Sequence, residues 1–158
     1  MTPDDLCKSG LEHGEQTALF AWAACAALYG FEYASDDWAY NHATRQALSW
    51  KFGAAYPVPE LSRLHAIHNQ GHGDKIRGAR AKAEGVRAGV PDTFLPCPRN
   101  GFCGLYIELK QVKLKTTKDG GLSEKQVDWI NYLRGAGFRV EIAYGWREAA
   151  NFIRDYLT

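Results

Sequence analysis

Polar and apolar positions alternate with different periods along this chain, and the periods mark its elements. In "TALFAWAACAALYGF" (Thr17 to Phe31), Leu19, Trp22, Ala23, Ala26 and Ala27 recur at helical spacing on a broad apolar face. The pattern predicts a buried helix over residues 9–29, with Ser9 and Glu12 spaced as a capping box. "LSRLHAIHNQGHG" (Leu61 to Gly73) reads as a short strand running into a glycine-rich loop. "KIRGARAKAEGVRAG" reads as a basic helix ending at Gly85 or Gly89. Short apolar runs then predict strands at Thr93–Leu95 and Cys103–Leu109, joined through the turn signal "PRNG". "SEKQVDWINYLRGAG" is helical, with Val127, Ile130 and Leu133 expected on its inner face. "FRVEIAYG" is a strand, and "WREAANFIRDYL" is a closing amphipathic helix. Helices and strands in this order predict an α/β sandwich around a small sheet.

One strand breaks its own pattern. "GLYIELK" carries Glu108 and Lys110 in an apolar run. Strand residues alternate faces, so Glu108 and Lys110 point one way while Ile107 and Leu109 point the other. Two opposite charges in that position are either a surface ion pair or the floor of an active site.

Composition narrows the reading. The 158 residues are 46% hydrophobic, enough for one domain with a core and against disorder. No apolar run approaches membrane-spanning length, and no signal peptide is visible, so a cytoplasmic protein is expected. Cys7, Cys25, Cys97 and Cys103 form no CxxC pair and no zinc-finger spacing, and read as free thiols. His65, His68 and His72 lack convincing zinc spacing. Net charge is only +1, but basic residues cluster. Five lie between Asp74 and Arg87, and four lysines lie between Lys110 and Lys118. These runs bracket the strand that holds Glu108, as a phosphate-backbone footprint would.

Asp92 stands at the head of the strand that precedes the turn. If the two strands pair antiparallel, Asp92 folds back towards Glu108. Two neighbouring carboxylates repel unless a cation lies between them. A hard divalent cation takes carboxylate and carbonyl oxygens, and the Leu109 carbonyl is placed to be one. Such an ion polarises a phosphodiester, and Lys110 beside it can stabilise the developing charge.

The larger pattern resembles the VRR-NUC domain, a nuclease module of the PD-(D/E)xK superfamily. The resemblance rests on "GVPD" (Gly89 to Asp92), "IELK" (Ile107 to Lys110) and "LSEKQVDWINYLRGAGFRVEIAYGWREA". It extends to "LEHGEQTALFAW" and "HAIHNQG", leaving residues 30–60 as a family-atypical segment of a single domain, 1–158. It implies a restriction-endonuclease-like core, a mixed central sheet flanked by helices. It implies Mg²⁺- or Mn²⁺-dependent cleavage of DNA, with Asp92, Glu108 and Leu109 as metal ligands. Lys110 and Gln126 fall on the family's catalytic lysine and helical glutamine, although Ser123 and Gln126 also fit a capping box. The family's early glutamate falls on Glu12, four residues before Gln16, with Glu15 adjacent and equally charged. Where the family often shows "PNG", this chain has "HNQG". Small stand-alone members are often phage-encoded, which implies a host cytoplasm, and act on four-way junctions. Larger relatives prefer flaps. Lacking a base-reading helix, the chain is expected to select branched DNA rather than a base sequence. A homodimer is expected, with the aromatic stretch Phe31 to Tyr56 as its surface or as a lid on the monomer's own core. The alternative from another class is a non-catalytic nucleic-acid-binding subunit on the same fold.

Overall fold

The computed structural model describes residues 2–34, 56–68 and 75–158. Its elements are α1 (Pro3–Cys7), α2 (Glu12–Tyr29), β1 (His65–Ala66), α3 (Lys75–Ala83), β2 (Thr93–Leu95), β3 (Leu105–Lys110), α4 (Glu124–Gly135), β4 (Arg139–Tyr144) and α5 (Trp146–Leu157). Short 3-10 turns occupy Pro59–Arg63 and Val112–Thr116. The sheet order is β1-β2-β3-β4. The first two pairings are antiparallel and β3–β4 is parallel. The parallel pair needs a crossover, and α4 supplies it. This is the mixed, helix-flanked sheet that the sequence predicts. Among the described residues, no helix is long and apolar enough to cross a membrane.

The sheet has an apolar layer on each face. Odd-numbered β3 residues Leu105, Ile107 and Leu109 pack with α2 and α5 in the larger core, around Leu19, Trp22 and Ile153. The even face meets α4, where Ile130, Leu133 and Val140 gather Tyr106, Phe138 and Ile142. Tyr106 stacks on Phe94 with centroids 4.2 Å apart and meets Phe138 edge-on at 5.3 Å. Helix α2 is buried along most of its length, as its alanine-rich sequence predicts.

The hairpin register positions the chemistry. Arg99 bridges Phe102, and the two residues between them, Asn100 and Gly101, both have positive φ (50° and 82°). A type I′ turn requires this, and Asn-Gly is its preferred pair. Carried straight on from the turn, that register would set Thr93 opposite Glu108, but residues 96–98 oppose only 103–104, and this one-residue bulge sets Thr93 opposite Ile107. One further step along the register sets Asp92 opposite Glu108, and facing residues share a side of the sheet.

Several local expectations change. Ser9 and Glu12 do not form a capping box; Leu11 is the N-cap of α2, and Ser9 Oγ instead accepts from the Leu11 N–H. A short helix, α1, precedes it, capped by a Thr2–Asp5 box with Pro3 in its first turn. Leu61 lies in a 3-10 turn, and only His65–Ala66 is strand. Val127 is 42% exposed instead of inward. The inner stripe of α4 runs through Gln126, Ile130 and Leu133, because Gln126 is drawn to β3 by polar contacts. The short helix expected near Asn41 to Lys51 lies outside the described residues, as do His72 and most of the aromatic stretch. At the ends of that stretch, Phe31 stacks on Trp22, while Tyr33 and Tyr56 are exposed.

Candidate active site

Glu108 and Lys110 are buried, at 1% and 5% exposure, so they are not a surface ion pair. Burying two charges costs free energy unless their partners are well placed. Lys110 Nζ lies 2.9 Å from Glu108 Oε1, 3.4 Å from Gln126 Oε1 and 3.8 Å from Glu12 Oε1. Gln126 Nε2 donates to the same Glu108 oxygen. Asp92 Oδ2 accepts the Leu109 N–H at 2.7 Å. All the residues singled out by sequence thus meet at the end of β3: Glu12, Asp92, Glu108, Leu109, Lys110 and Gln126.

Each is fixed by its own element. Asp92 is held by its backbone as well, since its carbonyl accepts from Ile67 just beyond β1 at 2.7 Å. Gln126 makes two sets of contacts. It forms the capping box of α4 with Ser123, accepting the Ser123 N–H at 2.9 Å, and it also touches Glu108 and Lys110. The glycine of "GVPD" explains the close approach of that segment to α4. Gly89 has φ +93°, and a Cβ there would lie 2.8 Å from the Lys125 backbone.

The two early glutamates part company. Glu12 opens α2, is half-exposed and turns to Lys110. Glu15 is buried and accepts the Trp146 N–H at 2.8 Å, at the N-terminus of α5. A carboxylate there satisfies an orphan donor and opposes the positive end of the helix dipole.

The electrostatics centre on Glu108. Burial, and then the charge of Asp92, push its pKa up from 4.5 to about 7, against the pull of Lys110. Burial draws the Lys110 pKa down, but the hydrogen bond and charge of Glu108, with Glu12 and Asp92, leave it raised. Glu108 Oε2 is buried without a hydrogen-bond partner. Buried polar groups are normally satisfied, so such an oxygen marks a place for a missing ligand. The Leu109 N–H points to Asp92, and in a strand its carbonyl leaves on the same side. Two carboxylates and a carbonyl therefore offer hard oxygen donors of the kind that Mg²⁺ or Mn²⁺ takes. Among the described residues, no three His, Cys, Asp or Glu side chains group to hold a metal.

Sequence reasoning passed over Gln111. Its Oε1 is also buried and unpartnered. A lone glutamine after a strand carries no signal that would single it out.

The VRR-NUC domain family model matches residues 37–146. That range takes in much of the stretch set apart as family-atypical and stops short of Glu12. Among solved structures, the chain is similar to one described as "VRR_NUC domain protein", at 18% identity and TM-score 0.57, covering 99% of this chain and 88% of that one. At such identity the likeness shows a shared fold. No curated protein matches the chain.

Proposed function

The chain belongs to the VRR-NUC domain family, and from that premise we propose that it is a divalent-cation-dependent DNA endonuclease acting on branched DNA, four-way junctions above all. One observation carries the reading: Glu108 is buried beside Asp92 with an oxygen left unpartnered and a pKa raised to about 7. Such a group weakens the fold and suits a cation. Asp92, Glu108 and the Leu109 carbonyl would hold Mg²⁺ or Mn²⁺. When bound, the ion supplies Lewis-acid polarisation of the phosphodiester and acidifies a water.

The remaining chemistry belongs to the chain. Lys110 keeps a fixed positive charge where negative charge grows on the phosphate. Glu12 and Gln126 orient Lys110, and Gln126 also holds one oxygen of Glu108 so that the other faces the donor set. Lys82, Arg87, Lys113 and Lys118 are exposed, and they suit backbone contacts that position DNA without reading its sequence. A two-fold dimer would present two such sites to the paired strands of a junction. No observation favours the non-catalytic binding subunit.

The test is nicking of a synthetic four-way junction and a linear duplex at matched salt with Mn²⁺. Faster junction cutting is expected. Equal rates defeat structure selectivity, and no cleavage with no calorimetric Mn²⁺ uptake defeats the nuclease. Light scattering tests assembly. A mass of one 17.6 kDa chain, still single on junction DNA, rules out the dimer.

A further inference from the structure

One helical turn from the catalytic cluster lies a groove of about 450 Å³. Its walls are His13, Gln16, Thr17 and Phe20 of α2 on one side, and Ser62 and His65 on the other. Each wall runs into the cluster. Glu12 immediately precedes His13 on α2 and lies 3.8 Å from Lys110. On the other side, β1 leads to Ile67, whose N–H donates to the Asp92 carbonyl at 2.7 Å. Gln16 stands about 6 Å along the helix axis from Glu12. A strand with one phosphate at the cluster thus has its neighbouring nucleotide at the groove.

The groove's chemistry suits a base and not a phosphate. None of its lining side chains is Lys, Arg, Asp or Glu. Phe20, Leu64 and the His65 ring provide flat and apolar surface, and unpaired bases are taken up by stacking on such groups, histidine included. The volume is in the range of small-ligand sites. Its polar atoms include hydroxyl acceptors beside the Gln16 amide, which both donates and accepts. Thr17 Oγ donates to the His13 carbonyl at 2.8 Å, and Ser62 Oγ donates to the Pro59 carbonyl at 2.7 Å. His65 Nδ1 lies 2.9 Å from the Arg63 carbonyl, which only accepts, so Nδ1 carries a proton there. Lone pairs on both hydroxyls are left for donors from a ligand.

We propose that this groove takes an unpaired nucleobase from the strand whose phosphate lies at Asp92, Glu108 and Lys110. The inference rests on the nuclease reading. It deepens that reading by naming the substrate as DNA with an unstacked base beside the cut.

The experiment is equilibrium binding by fluorescence anisotropy in EDTA, so that cleavage plays no part. The probe is a branched duplex with a single-stranded adenine arm, scanned one position at a time with an abasic residue. One position near the branch should lose about tenfold in affinity when abasic, as removal of a stacked base does. His65→Ala, and separately Ser62→Ala, should weaken the adenine arm but not the arm abasic at that position. A flat abasic scan of the wild-type protein overturns the proposal, as does an equal loss on intact and abasic arms. A protein that cleaves junctions yet gives a flat scan loses the groove and keeps the nuclease. A protein with the abasic-sensitive position but no cleavage under any metal loses the catalytic reading alone.

Discussion

The two faces of β3 are both buried, and they are built to opposite ends. On the odd face, Leu105, Ile107 and Leu109 fill a dry core against α2 and α5. On the even face, an aromatic patch around Tyr106 gives way within two residues to Glu108 and Lys110, with one oxygen unsatisfied. The period of two lets one six-residue strand do both, since neighbouring side chains never compete for the same side. The difference teaches where stability and chemistry are separable. The odd face should set the free energy of folding, and the even face should set the rate of reaction.

The sharpest way to break that division is to exchange the effects. Glu108→Gln removes a charged ligand while keeping the shape. It should lower Mn²⁺-supported cleavage by about a thousandfold or more while sparing most DNA binding, read by nicking and anisotropy in parallel. Leu109→Ala, one residue away, should cost about 3 kcal/mol in urea denaturation, because it leaves a cavity in the core. A Leu109 variant of unchanged stability, or a Glu108 variant of unchanged rate, would dissolve the distinction.

The pH dependence sharpens the comparison further. In the unfolded chain Glu108 titrates near 4.5, and in the fold near 7. Between those values the folded state holds a proton that the unfolded state has released. Its contribution to stability therefore falls as pH rises from about 4.5 to about 7, by on the order of 3 kcal/mol. The raised Lys110 pKa acts elsewhere; its contribution is complete below 10.5 and is lost only above that. In metal-free buffer, Glu108→Gln should gain stability over the wild type across the lower window, and the gain should shrink when Mn²⁺ is added. A constant difference at every pH would show that Glu108 is not shifted.

The smallest effect separates the two glutamates of α2. Glu15→Gln should cost about 1–2 kcal/mol, since it weakens a charge-assisted bond at a helix N-terminus. Glu12→Gln should leave the melting temperature within about a degree and slow cleavage instead. Equal melting losses for both would place Glu12 in the scaffold.

Much of this was legible in the sequence, for reasons that are local. The Asn-Gly turn announces the hairpin that brings Asp92 back to Glu108, although the one-residue bulge that puts the two on the same face carries no such signal. The Ser123–Gln126 spacing announces the start of α4 and the inward glutamine together. The Thr2–Asp5 box of α1 was equally readable and was passed over. What the sequence hid depends on remote partners. Nothing near Glu15 signals that its carboxylate will meet Trp146, 131 residues away. Val127 was set inward because three apolar residues suggested a stripe. The actual stripe begins one residue earlier, at Gln126, because a polar partner across the layer claims that position. The burial of Lys110 was equally hidden, since lysine is almost never buried without a partner.

That long-range contact between Glu15 and Trp146 also bears on the order in which the molecule assembles. The hairpin of β2 and β3, and the β3–α4–β4 crossover, join residues close in sequence, so their loops close cheaply. The α1–α2 segment is anchored by contacts spanning nearly the whole chain, with Arg147 on Asp4 of α1 repeating the span of Glu15 of α2 on Trp146. It should dock late. Asp92, Glu108, Lys110 and Gln126 would then be in place before Glu12 arrives, so the last step of folding would complete the site. In a kinetic analysis, truncations at Leu133 should slow folding, whereas those at Leu19 should mainly speed unfolding.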